Sequence, residues 1–151
     1  MEYSYSLTID APIEKVVSLF DNKDNLKNWQ DGFESYTHLS GEPGKPGAKA
    51  MLVYRNGKHE IKLTETILTN DLPTEISGHY EHAHGSNTLA NTFKGLPDNK
   101  TQYTTKIANP KAKGFMPKLM LAMMSGVYRK HTEKWANQFK KFAEQEHKKP
   151  A

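Results

Sequence analysis

GFMPKLMLAMMSGVYRKHTEKWANQFKKFAEQEH, residues 114–147, reads as one long helix, and that reading decides the fold. Pro117 suits a first helical turn, where a missing N–H costs nothing. Leu119, Met120, Met123, Met124, Val127, His131, Trp135, Phe139 and Phe142 then recur every three or four residues as one continuous stripe. Gly126 interrupts it. Glycine weakens a helix by about 1 kcal/mol relative to alanine, so a bend or a close approach of the sheet is expected there.

Outward from this helix the period changes to two. Tyr3, Tyr5, Leu7 and Ile9 alternate with Ser4, Ser6 and Thr8, as in a half-buried strand. Asp10-Ala11-Pro12 stops that strand, with Asp10 as a candidate helix cap, and Ile13, Val16, Val17 and Phe20 follow at helical spacing. A second short helix spans 22–29 and ends around Asp31-Gly32. Strands are then expected at 33–39, 48–55, 59–68, 75–83, 86–95 and 100–107. Breakers separate them, notably Gly41-Glu42-Pro43-Gly44 and the hairpin signal Asn56-Gly57. The class is α+β, with an antiparallel sheet of about seven strands curved around the last helix. The space between sheet and helix is the natural place for a ligand.

The chain has 151 residues, about one domain. Residues 1–147 are assigned to that domain and 148–151 to a disordered tail. Cysteine is absent, so neither a disulfide nor a thiolate metal site is available. That absence fits a reducing compartment. Met1-Glu2-Tyr3-Ser4 lacks the order of a secretory leader, and no stretch approaches the ~18 apolar residues of a membrane span. A cytoplasmic location is expected. The net charge is +4, with Lys130, Lys134, Lys140, Lys141, Lys148 and Lys149 on the last helix and its tail. Glu133, Glu144 and Glu146 dilute them and no aromatic residues interleave to stack bases, so no specific nucleic-acid binding is expected. No phosphate loop, nucleophile elbow or paired-His zinc helix is present, and no cofactor is expected.

The order strand, two short helices, six strands, long helix resembles the helix-grip fold of START-like, birch-pollen-allergen-like and polyketide cyclase/dehydrase-like proteins. Ala11-Pro12-Ile13-Glu14-Lys15-Val16 opening the first helix carries the resemblance. So do Trp29 ending the second helix, Gly41-Glu42-Pro43-Gly44 with Gly47 in the first hairpin, and Leu63-Thr64-Glu65 before the Leu72-Pro73 turn. The resemblance covers nearly the whole chain and is greatest to small stand-alone bacterial members. It implies a cavity between sheet and helix that takes apolar or amphipathic ligands.

His79-Tyr80-Glu81-His82-Ala83-His84 is the densest polar cluster. A metal site wants three convergent ligands. Two histidines at i and i+2 beside a turn fall short of that, and no metal is expected. Solvated strand-end histidines are the plain reading, with His82 as a candidate cavity acid or base. Glu65 continues the inward parity of Ile61, Leu63 and Ile67. A buried carboxylate needs partners or its pKa rises, so Glu65 is either tied to a neighbouring side chain or is a base or ligand contact. Asn91, between Leu89 and Phe93, is placed in the same way. His131 on the helix stripe is a third acid–base candidate.

Wall residues expected from the sheet side are Trp29, Phe33, Leu52, Tyr54, Leu63 and Tyr80, with Asn91, Phe93 and Tyr103. From the helix, Met120, Met123, Met124 and Val127 are expected; methionine adapts to irregular apolar shapes, although such a stripe is more often plain core. The leading reading is enclosure of a hydrophobic or amphipathic small molecule, lipid-like or polyketide-like. The alternatives are a cofactor-free cyclase or dehydratase using Glu65 or a histidine, and a protein-interaction module whose cavity its own side chains fill.

Overall fold

The computed structural model describes residues 2–114 and 118–150, with side chains outside residues 118–125. Met116 thus lies outside the described residues, as do the side chains of Leu119, Met120, Met123 and Met124. The chain runs β1 (Tyr3–Ile9), α1 (Ile13–Asp21), a short 3-10 turn (Lys23–Asn25), α2 (Leu26–Trp29), β2 (Phe33–Ser40), β3 (Lys49–Asn56), β4 (His59–Asp71), β5 (Glu75–His82), β6 (Gly85–Leu96), β7 (Lys100–Ala112) and α3 (Lys118–Lys148). All seven strands form one antiparallel sheet in the order β1-β7-β6-β5-β4-β3-β2. Each hairpin neighbour pairs in turn, and β1 closes the sheet against β7. The sheet curves around α3, which packs on β1, α1 and α2.

Local chemistry accounts for the ends that hydropathy misplaced. β4 and β7 run to Asp71 and Ala112, past the expected ends at Leu68 and Ile107. Their ladders continue, Asp71 opposite Glu75 and Ala112 opposite Gly85, after the inward apolar residues stop. Asp10 does not cap α1. The cap position is the residue just before the helix, which is Pro12, and it makes no side-chain cap bond. The Asp10 N–H instead donates to Glu144 Oε2 at 2.8 Å and ties the end of β1 to α3. Lys148, assigned to the tail, belongs to α3, and Lys149 pairs with Glu146 at 2.7 Å.

The phase of α3 also differs from the stripe. Among the described side chains of α3, Thr132, Ala136, Phe139 and Ala143 are buried, whereas Val127 is 68% exposed. At about 100° per residue, steps of four drift about 40° each, so Val127 lies roughly 120° around from Phe139 while Tyr128 lies within roughly 20° of it. A Cβ built on Gly126 would meet nothing within 4 Å among the described residues, so none of them approaches closely there. Phe139 is fully buried among Phe20, Trp29 and Tyr103, at ring distances of 5.4, 5.1 and 5.5 Å. Such aromatic pairs add about 0.5–1.5 kcal/mol each beyond area burial. This cluster closes one end of the space between sheet and helix.

Candidate functional site

At the other end the space stays open as a cavity of about 520 Å³. Its sheet side includes Leu52, Leu63, Ile67, Ile76 and Leu89. Tyr128, His131, Thr132 and Trp135 of α3 face them. Most of the surface it exposes is apolar, although many bordering side chains are polar, the charged Lys23, Asp31, Arg55 and Lys134 among them.

The central polar side chain is Glu65, on β4 and 7% exposed. The Tyr36 hydroxyl donates to its Oε1 at 3.0 Å and the Tyr80 hydroxyl to its Oε2 at 2.7 Å. Register explains both bonds. Glu65 stands opposite Tyr80 on β5 and opposite Ala50 on β3. Ala50 offers only a methyl, so the ring of Tyr36 on β2 reaches over β3 to the carboxylate. Gly78, on the same face of β5 as Tyr80, gives that ring room: a Cβ there would lie 3.1 Å from Tyr80 Cε2. Burial and the nearby Glu65 charge push the Tyr36, Tyr54 and Tyr80 hydroxyls above the ordinary phenol value. All three therefore stay protonated donors at neutral pH. Tyr54 donates to Gln30 Oε1 at 2.7 Å, just beyond α2.

A second polar pair lies on β6 and β7, where the Tyr103 hydroxyl donates to Asn91 Oδ1 at 2.9 Å. Nearer the rim, Lys134 pairs with Asp31 at 2.6 Å and holds that carboxyl below the usual range. The His131 ring lies 4.1 Å from that of Trp135, although the residue remains exposed on its other side. Burial lowers its pKa and Lys134 lowers it further, while Asp31 opposes. His82 is also lowered, first by burial, then by His84 and Lys113. Its Nδ1 accepts from the His84 N–H at 3.1 Å. The indole N–H groups of Trp29 and Trp135 are buried and have no hydrogen-bond partner among the described residues.

Of the expected wall, Trp29, Leu52, Tyr54, Leu63, Tyr80, Asn91 and Tyr103 line the cavity, as do Glu65, His82 and His131. Three others do not. Phe33 packs edge-on against Tyr54, at 5.8 Å. Phe93 is buried in the aromatic cluster, stacked on Tyr103 at 5.3 Å. Val127 faces solvent for the helical reason given above. His79 points away from the cavity and His84 sits in the exposed turn before β6. Among the described residues, no group of three His, Asp or Glu converges as a metal site.

Sequence reasoning missed Tyr36, and a register shift explains why. Between Phe33 and Ser35 the β2–β3 pairing slips, so Phe33 stands opposite Tyr54 and Tyr36 opposite Leu52. A bulge inserts one residue and inverts the alternation downstream. Strict period two from Phe33 places Tyr36 outside. A faint signal was available in Gly78: a strand-interior glycine often marks a close approach, here that of the Tyr80 ring.

No family model matches the chain, and no curated relative does. Solved structures do. An aromatase/cyclase from a Streptomyces species is 15% identical with a TM-score of 0.78, covering 96% of this chain and 94% of its own. A START superfamily protein from Mycobacterium smegmatis is 15% identical with a TM-score of 0.73, covering 95% and 97%. Ara h 8.0201 is 11% identical with a TM-score of 0.74, again covering 95% and 97%. Among the described residues, no helix is long and apolar enough to cross a membrane. At such identities the likeness concerns architecture, and the chain has the helix-grip fold of START-like and birch-pollen-allergen-like proteins.

Proposed function

We propose that this protein binds a hydrophobic or amphipathic small molecule between its sheet and α3. The observation that carries the reading is the cavity of about 520 Å³, mostly apolar, with Glu65, Asn91 and five tyrosines set into its wall. Ligand sites commonly span about 300–1,000 Å³ and pair apolar walls with a few orienting polar groups. Apolar walls stabilise a ligand by removing its surface from water, at about 25 cal/mol per Å². A protein-interaction module filled by its own side chains would leave far less space, since native interiors hold few voids larger than a water.

A specific observation favours a second reading. Glu65, His82 and His131 line one cavity, which is what an acid–base cyclase or dehydratase requires. Its test is cyclised or dehydrated product from a poly-β-ketone thioester, lost in Glu65→Gln.

Titration with Nile red, a neutral apolar dye, tests the binding reading. The protein should enhance its fluorescence saturably at one site. Leu63→Trp, on the wall, should fill space and weaken the dye at least tenfold while the thermal transition stays cooperative; Ile76→Trp serves if that variant does not fold. No dye binding by the parent protein, or unchanged binding by a folded filled variant, would sink the reading.

A further inference from the structure

We infer that the ligand carries a basic nitrogen, protonated at neutral pH, that seats on the Glu65 carboxylate between Tyr36 and Tyr80. This rests on the binding reading above and adds the chemical class of the ligand.

Glu65 is 7% exposed and lines the cavity. Each carboxylate oxygen accepts one phenol hydrogen bond. A carboxylate offers about four acceptor sites, so about half its capacity stays open. Among the described residues no Lys, Arg or His lies within ion-pair distance of it. The cations that line the cavity are engaged elsewhere. Arg55 is held by Glu34 at 2.7 Å and Glu60 at 2.9 Å, and Lys134 by Asp31. Lys23 stands over the Tyr36 ring, 5.2 Å from its centroid, and is not paired with Glu65.

Neither phenol supplies a counter-charge, since a phenol is neutral when protonated and anionic when not. They orient the carboxylate and leave its charge uncompensated. A buried charge is costly until paired and hydrogen-bonded, and a ligand ammonium supplies both. The aromatic faces nearby, Tyr54 and Trp135 with rings 5.5 Å apart, suit an organic cation and its apolar body. An anionic headgroup such as a fatty-acid carboxylate would meet like charge at Glu65. A neutral alcohol would gain one hydrogen bond and leave the charge unpaired.

Displacement of Nile red by decylamine, decanol and decanoate at neutral pH separates these ligands, since the chain is constant and only the head changes. The ammonium should bind at least tenfold more tightly than the alcohol, and the carboxylate more weakly than either. Glu65→Gln should abolish the preference for the amine over the alcohol. If Glu65→Gln does not fold, Tyr36→Phe, which keeps the carboxylate and frees one oxygen, should retain the preference. Nile red binding with an alcohol or carboxylate equal to or tighter than the amine overturns the inference and leaves the binding reading standing. Retention of the amine preference in a folded Glu65→Gln also overturns it. Absence of Nile red binding removes both.

Discussion

Gly78 leaves the space that the Tyr80 ring occupies: a Cβ at position 78 would stand 3.1 Å from Tyr80 Cε2 and 3.2 Å from its hydroxyl oxygen. That hydroxyl is the 2.7 Å donor to Glu65 Oε2. Backbone and site are therefore coupled through one missing methyl. Gly78→Ala should displace the ring and weaken amine binding several-fold, with an intact far-ultraviolet circular dichroism spectrum. Alanine is the better strand residue, so the melting temperature should change little. Unaltered amine affinity would show that the ring yields without moving its hydroxyl.

The two phenols should contribute unequally to stability. Hydrogen bonds to charged groups contribute about 1.5–3 kcal/mol, and Tyr80 is the more deeply buried of the pair. Tyr80→Phe should cost about that much in urea unfolding, and Tyr36→Phe less. Because both donors share one acceptor, the double variant should depart from additivity by at least about 0.5 kcal/mol. Equal losses, or strict additivity, would contradict the shared-carboxylate arrangement.

The phase of α3 makes a sharp contrast. Val127, 68% exposed, should accept Val127→Lys within about 0.5 kcal/mol of the parent. Phe139→Ala removes a fully buried ring and should cost about 3–5 kcal/mol. Chemical denaturation of the two variants measures both. A costly Val127→Lys would return that residue to the core.

Stability should fall on mild acidification. His131 and His82 both have lowered pKa values, chiefly through burial. The unfolded chain then binds more protons than the folded one between the folded value and about 6.5. The contribution is fully present above about pH 6.5 and is lost as pH drops through the folded value. Melting temperatures followed from about pH 8 to pH 5 should decline, and His131→Gln should flatten part of that decline. Asp31, held low by Lys134, acts in a lower window: its contribution is present above about pH 4 and is lost below it. A flat profile through pH 6 would show that neither histidine titrates lower in the folded chain than in the unfolded one.

The architecture was legible because it rests on periodicity. Tyr3, Tyr5, Leu7 and Ile9 alternate, and β1 forms over Tyr3–Ile9. The shift to strands after Gly32 and back to helix after Gly114 reports backbone geometry directly, since strand and helix present side chains at 180° and about 100° per residue. Glu65 and Asn91 were legible as inward polar residues because their parity matches apolar neighbours.

What surrounds those residues was decided only in three dimensions. Tyr36 reaches Glu65 across an intervening strand after a bulge that alternation does not record, and Tyr80 reaches it through space left by Gly78. Val127 left the expected wall, and Tyr128 joined it, because an apolar repeat of four residues drifts around a helix of 3.6 residues per turn. Phe33 and Phe93 share the inward direction of the wall, yet pack into neighbouring rings beyond the cavity. The sequence by itself determined which faces turn inward, a property of local dihedral angles. Which inward residues meet, and which border open space, depends on sheet register, on the bulge and on where α3 lies across the sheet, and these are set by packing between residues far apart in the chain.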